Sequence, residues 1–457
     1  MIKTYDVVVA GGGFAGIYAS WRLARAGKSV ALVESTGGIG GNLQSRFWNG
    51  FWLDHGTHNF DFRTPLGQDF YQDILQDEMM VFEDQPWACT TDKSWTYGFE
   101  VPDFAVDDPD FCNIALREMA SLLAAESQSV QPDRYLDYYR RRFGHSLTDR
   151  LIPAIRKYTG SDPEDFSVDA IGSMGMFQRV KLGTDSEMIK LKEQEAFWDD
   201  RLGVTLASGD VRYLGRNVHK RFAYPRFEAL NGFCKAAHRR LTQIGVEILL
   251  GNGVSRIGNE ADGLRIHAGS SELVTRKLFW SLPESILARI LGIEIDLGKF
   301  SVPVGNAFFA FEVSADSILG PDYLQDYSTR RQPFRYNRQG VYSNQIKSDG
   351  RTFIVAEMPC NPKDIASRCS QTVAEQVWHD VLDVGFVKPS TKFTASEFWG
   401  HPVAFSIPKV GWKGPYLEFR EKLREYSAAV HCIDFGYRGR LSFMIFYDEQ
   451  LRGRLES

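Results

Sequence analysis

Cysteine is sparse in this 457-residue chain, and its few copies are scattered. Cys89, Cys112, Cys234, Cys360, Cys369 and Cys432 include no CxxC pair, which argues against a redox motif or a zinc ribbon and favours a reducing compartment. No apolar run approaches the ~20 residues that a membrane helix needs. Met1–Asp6 is short and polar and leads directly into a strand pattern, so no signal peptide is expected and a cytoplasmic location is. A dense Lys/Arg block is also missing: 53 basic residues stand against 58 acidic ones, for a formal charge of −5. That balance leaves no electrostatic footprint for nucleic acid, and Arg140–Arg142 reads as solvated helix surface. There is no clear GxSxG elbow and no HExxH zinc motif.

What is abundant is aromatic: 32 Phe, 18 Tyr and 10 Trp make up 13% of the chain. Disordered segments are poor in such residues, so an ordered chain with a large core follows. At roughly 150 residues per domain the length suggests about three structural units.

The first forty residues carry the clearest local pattern. Asp6–Ala10 is a β-branched run of the kind found in buried parallel strands. Ile17–Ala26 has helical spacing and closes on Gly27, and Ser29–Glu34 is a second buried strand. Residues 105–200 read as amphipathic helices, including Arg134–Phe143 and Leu147–Tyr158. Ala229–Gln243 then reads as a helix and Val246–Leu250 as a strand. Leu264–His267 and Lys277–Ser281 are further short strands, the latter leading to Leu282–Pro283. A strand-rich stretch runs from Asn306 to about 358, with a helix at Gln371–Val384 and a Pro/Gly-rich passage around 402–415. A helix at Leu417–Ala428, a glycine turn at Gly436–Gly439 and a final helix from about 448 end the chain.

Between the first strand and helix stands Gly11-x-Gly13-x-x-Gly16. One glycine permits the tight turn, the next lets a pyrophosphate approach the backbone, and the third lets helix and strand pack closely. The pyrophosphate would sit at the helix N-terminus, against Phe14 and Ala15. Glu34 ends the next strand, ~20 residues on, where it is placed for ribose hydroxyls. A carboxylate there disfavours a 2′-phosphate, leaving FAD or NAD.

Downstream, Gly37–Asn42 (GGIGGN) is followed by Asp54-x-Gly56-x-His58. These motifs resemble those of the FAD-binding superfamily of amine oxidases, protoporphyrinogen oxidase and UDP-galactopyranose mutase, and Ile39-Gly40-Gly41-Asn42 is most similar to the mutase branch. The resemblance implies FAD as cofactor, held by Gly11, Gly13, Phe14, Ala15, Gly16, Glu34, Ser35, Gly40, Gly41 and Asn42. It places His58 against the flavin. It also matches Val254 to the residue whose backbone meets the adenine, and Gly439-Arg440-Leu441 to a motif whose Arg440 contacts the flavin side. Asp448 matches a D-M-D-like helix start in the mutases. The implied fold class is α/β: a discontinuous Rossmann-like FAD-binding domain of the glutathione reductase type, with an inserted α+β substrate domain. Its expected boundaries are 1–85, 222–298 and 425–457 for the FAD-binding domain, 86–221 for a mainly helical cap, and 299–424 for a mixed strand–helix region. Asp54, His55, His58 and Asp61 do not read as a metal site, because Gly56 breaks the helix that would align the histidines.

In such proteins the flavin carries the chemistry while the protein positions the substrate. The substrate expected is a small molecule, a nucleotide-activated sugar in polysaccharide biosynthesis. Its diphosphate needs arginines, whose planar fork suits phosphate. Arg335, Tyr336, Arg338 and Tyr342 are the substrate-binding candidates, with Arg335 and His58 also candidates for a catalytic role. Arg179 and Arg226 are further candidates. Three alternatives stay open: an oxidoreductase of the amine oxidase type acting on a C–N or C–C bond, a non-catalytic FAD-binding protein, and an NAD-linked dehydrogenase.

Overall fold

Lys3–Ala10 forms a strand because its Val7-Val8-Val9-Ala10 end is buried on both faces, the pattern of a parallel sheet covered by helices. In the computed structural model this strand lies inside a seven-stranded sheet. The structure describes residues 3–83, 87–97, 101–125, 132–205, 221–261, 263–433, 440–451 and 453. Across the sheet the order is Glu247–Leu249, Val30–Val33, Lys3–Ala10, Ser271–Trp280, Gly263–Ala268 and Val254–Glu260. The first four are mutually parallel, and Val430–Cys432 adds a parallel partner to the far half of Ser271–Trp280. The first helix, Phe14–Arg25, returns the chain between the first two strands. It ends with Arg22 and Arg25 in its last turn and Gly27 at a φ of 80°, a glycine cap with basic residues near the negative end of the helix dipole.

The described chain divides into two units. One comprises Met1–Phe82, Arg221–Phe300 and Gly411–Ser457, the other Glu83–Lys220 and Ser301–Val410. The core of the first joins Val8, Ala10, Ala31 and Val33 to Ile266, Leu278 and Trp280, and takes Phe419 and Leu423 from the helix Lys413–Tyr426. The second unit is built on another seven-stranded sheet, ordered Ala395–Pro408, Ser301–Ser314, Arg351–Cys360, Arg335–Asn337, Tyr323–Asp326, Trp87–Thr90 and Trp95–Tyr97. One face buries Phe309, Phe311, Ile354 and Ala356 against the helix Gln371–Asp383. The other contributes Val304 and Ile407 to a core shared with the helices Tyr135–Phe143 and His145–Thr159. The α/β class with a Rossmann-like first unit is thus present.

Part of the Pro/Gly-rich passage around 402–415 belongs to one long strand, Ala395–Pro408, paired along Ser301–Ser314 with a register shift between Val304 and Asn306 that accommodates Pro402. The last helix spans Arg440–Gln450 and does not begin near 448. The expected turn at Gly436–Gly439 lies outside the described residues. No helix among the described residues is long and apolar enough to cross a membrane.

Candidate functional site

The glycine turn shows why each glycine stands where it does. Gly11 has a φ of 99°, a left-handed conformation that disfavours side chains. A Cβ on Gly16 would come within 1.8 Å of the Gly11 carbonyl oxygen, so only glycine allows the helix to approach the strand this closely. Gly13 is different: a Cβ there meets nothing within 4 Å. It is the residue preceding the first helix, so the open space lies at the positive helix end.

The loop Gly40–Asn42 closes on this turn. Gly40 N–H donates to the Gly12 carbonyl at 2.7 Å, and Gly13 and Gly40 form an isolated parallel bridge. Gly40 and Gly41 both have positive φ, and a Cβ on Gly41 would lie 3.2 Å from Gly13 Cα. Glycines from two segments therefore bring bare backbone to one place. Asn42 is exposed beside them, and Ala15 is half-buried. The Phe14 ring points instead into an aromatic cluster, edge-on to Phe70 at 5.8 Å and to Phe443 at 6.3 Å.

Glu34 is buried and holds this turn. One carboxylate oxygen accepts from Gly12 N–H at 2.7 Å; the other accepts from Thr36 N–H at 2.8 Å and from the Thr36 and Ser35 hydroxyls. Burial opposes its ionisation, but these donors outweigh burial and hold its carboxyl below the usual range. Asn252 N–H donates to the Glu34 carbonyl and Gly251 N–H to that of Thr36. Those bonds bring the loop before Val254 to the same strand ends as Ser35.

His58 and Arg440, far apart in sequence, meet. An Arg440 Nη donates to His58 Nδ1 at 3.2 Å, and the other Nη donates to the Asn59 carbonyl at 3.2 Å. Guanidinium only donates, so Nδ1 accepts and the ring proton sits on Nε2, 3.0 Å from the His55 carbonyl. The guanidinium lies over the Phe60 ring at 5.6 Å. Gly439 lies outside the described residues. Asp448 sits late in the last helix, not at a helix start, and accepts from Tyr18 Oη at 3.0 Å and Arg22 Nε at 2.9 Å, tying that helix to the first one.

Asp54 serves packing. It is wholly buried, accepts from Ser45 Oγ, Tyr224 Oη and the Leu230 N–H, and its carboxyl is pushed up to about 6 by burial, against those hydrogen bonds.

In the second unit, strand alternation separates the predicted substrate residues. Tyr336 is buried on the face covered by Gln371–Asp383, its ring 5.8 Å from Phe386. Arg335 points to the opposite face, where it pairs with buried Glu357 at 3.4 Å and lies over the Tyr158 and Tyr323 rings. Arg338 faces Asp322 at 3.6 Å, and Tyr342 is buried in the short helix Gln339–Ser343. Of the further candidates, Arg179 donates to the Asp199 carbonyl and Arg226 is exposed in the first unit.

Residues 9–74 match the family of NAD(P)-binding Rossmann-like domains. A 48-residue stretch is 52% identical to the thiamine thiazole synthase of Desulfosudis oleivorans, covering 10% of this chain and 17% of that protein. Whole-chain similarity is to solved structures. Reduced UDP-galactopyranose mutase superposes with a TM-score of 0.72 at 16% identity, covering 98% of this chain and 93% of that one. A protoporphyrinogen oxidase-type protein from Exiguobacterium sp. 255-15 gives 0.67 at 16%, covering 100% and 99%. A double mutant of putrescine oxidase gives 0.62 at 13%, covering 99% and 100%. The chain shares the fold of these three structures.

Within this fold, two residues of the glycine site escaped the sequence reading. Ser281 Oγ donates to the Ala10 and Gly11 carbonyls at 2.8 and 3.0 Å. Its signal was only that it ends a strand able to pair beside the first. Thr36 had no signal beyond its place after Glu34.

Proposed function

We propose that this chain binds FAD through Gly11–Gly16, Glu34–Ser35, Gly40–Asn42, Val254, His58 and Arg440, and acts as a flavoenzyme on a nucleotide-activated sugar in polysaccharide biosynthesis. The observation that carries the cofactor assignment is the open space at Gly13. It stands at a helix N-terminus, ringed by glycine backbone from two loops, in a fold where neighbouring glycines are packed to contact. That cradle suits a pyrophosphate in charge and in shape. The carboxylate of Glu34 suits adenosine ribose and repels a 2′-phosphate.

Bound there, a flavin supplies electron-pair acceptance for oxidation, or nucleophilic catalysis at a sugar carbon when reduced. The chain's own residues do the rest. Arg440 fixes the tautomer and the ring plane of His58, so that His58 offers a fixed imidazole without moving a proton. Arg338 is a cation for substrate phosphate: its Nε has no partner among the described residues, and its facing Asp322 has its carboxyl raised by burial in spite of the guanidinium. The likeness to UDP-galactopyranose mutase supports the sugar reading. Oxidation of an amine is the second reading, favoured by the likeness to putrescine oxidase.

The test is an anaerobic titration of the purified yellow protein with UDP-sugars and with amines. A flavin spectrum that shifts without bleaching, and turnover only after dithionite reduction, is the expected outcome. Bleaching by an amine replaces the first reading with the second. A colourless protein that cannot be reconstituted with FAD overturns both.

A further inference from the structure

The four carbonyls from Ala10 to Gly13 are all tied inside the first unit. Ala10 C=O accepts from Ser281 N–H at 3.0 Å, Gly12 C=O from Gly40 N–H at 2.7 Å and Gly13 C=O from Ile17 N–H at 2.9 Å. Gly11 differs in kind: its carbonyl accepts from a side chain, Ser281 Oγ at 3.0 Å, and that hydroxyl is shared with the Ala10 carbonyl at 2.8 Å. A carbonyl oxygen turned toward an anion repels it, whereas N–H groups attract it. The direction of these peptide groups therefore decides whether the turn can take a pyrophosphate.

The other end of the same peptide group is also held. Gly12 N–H, which shares a peptide plane with the Gly11 carbonyl, donates to Glu34 Oε2 at 2.7 Å. Glu34 is fixed in turn by the N–H and hydroxyl of Thr36, both on its other oxygen. One planar group is thus gripped from two sides, by a hydroxyl on its oxygen and a carboxylate on its nitrogen. It needs the grip. The two dihedrals that turn this plane, ψ of Gly11 and φ of Gly12, both belong to glycines, which rotate through regions closed to other residues. Packing demands glycine here, since a Cβ on Gly12 would come within 3.0 Å of Glu34 and of Ile39. The freedom that glycine brings has to be removed by neighbours.

Strand register delivers Ser281 to this place. Lys3–Ala10 and Ser271–Trp280 run parallel with Ala10 opposite Trp280, so the residues that follow, Gly11 and Ser281, lie side by side. A Cβ on Gly11 would come within 2.5 Å of Ser281 Oγ. The chain beyond is held by Trp280 Nε1, which donates to the Pro283 carbonyl at 3.3 Å.

We propose that Ser281 is a positioning residue for the dinucleotide: with Glu34 it locks the Gly11–Gly12 peptide before the cofactor arrives, so that the turn is ordered by folding and not by binding. This role rests on the FAD reading and extends it to a residue outside the cofactor's own contacts.

The experiment uses the full chain stripped of flavin and measures Kd for FAD and for ADP-ribose, which carries adenosine and pyrophosphate without a flavin. Ser281→Ala is expected to weaken both about tenfold, the scale of one hydrogen bond. Ser281→Thr, which keeps the hydroxyl, is expected to bind both as wild type does. Hydrogen exchange in the flavin-free protein separates positioning from overall stability: Gly12 N–H is expected to exchange slowly in wild type and fast in Ser281→Ala, with the strand Lys3–Ala10 protected in both. Unchanged affinity for both ligands in Ser281→Ala, a Gly12 amide still protected in that variant, or a loss that Ser281→Thr shares in full overturns the clamp while FAD binding by wild type stands. A wild-type Gly12 amide that exchanges freely overturns it even if Ser281→Ala cannot be obtained folded. Wild-type protein that binds neither FAD nor ADP-ribose overturns the clamp and the FAD reading together.

Discussion

Three glycines in one turn have three different physical roles, and substitution separates them. Gly16 exists for packing, since a methyl there would overlap the Gly11 carbonyl. Gly16→Ala is expected to destabilise the fold by about 1–3 kcal/mol or more, the cost of overpacking, with flavin lost as a consequence. Gly13 has an ordinary extended backbone and open space over its Cα, so a side chain there strains nothing in the protein. Gly13→Val should therefore fold and melt close to the flavin-free wild type, yet carry no FAD because the valine fills the pyrophosphate position. Flavin released per mole of protein, measured beside the unfolding midpoint, checks both variants. A Gly13→Val protein with full flavin occupancy sinks the cofactor site.

Among the elements, Asp54 is the joint between the segment after the hairpin Arg46–Leu53 and the helix Ala229–Gln243. It receives the Leu230 N–H, and the Ser45 hydroxyl that it accepts from in turn accepts from the Asn231 N–H, so a helix N-terminus lacking its own side-chain cap is capped from a distant segment. Burial raises this carboxyl from 3.8 to about 6. The folded state therefore holds its proton more tightly than the unfolded chain, and the linked stability is present below the unfolded value and falls as pH rises through about 6. Its full size is about 3 kcal/mol. Other carboxylates, Glu34 among them, pull the other way, so the readout is a difference. Asp54→Asn, which cannot ionise, should gain stability relative to wild type as pH is raised from 4 to 7. A parallel pair of stability–pH curves would show that Asp54 is not the titrating joint.

For the whole molecule, what could be read from sequence was what is local. Strand, glycine turn, helix and acidic strand end lie within one short span, and their physics depends on neighbours in the chain. The partners of Asp54 and of Glu357 could not be read, because Tyr224 and Leu230, or Asn306 and Arg335, reach them only once distant strands are paired. Tyr336 shows the same limit: Arg335–Asn337 is too short a strand to reveal which side faces the core, and Tyr336 falls on the apolar side. The strand Ala395–Pro408 was hidden because its prolines and glycine mimic a loop, and its long partner supplies the missing order. Both units nevertheless have their own apolar cores, Val8, Ile266 and Trp280 in one and Phe309, Ile354 and Val377 in the other, and every proposed FAD contact lies in the first. Ligand binding stabilises only what it binds, by about 2.7 kcal/mol at a hundredfold excess over Kd. Stripping and restoring FAD should therefore move the unfolding of Met1–Phe82 and its two companion segments, followed by hydrogen exchange, while protection of the strands Ser301–Ser314 and Arg351–Cys360 against local opening changes far less. Equal gains in both units would show that the cofactor's stabilisation is shared across the chain, and no gain in either would remove FAD from the first unit altogether.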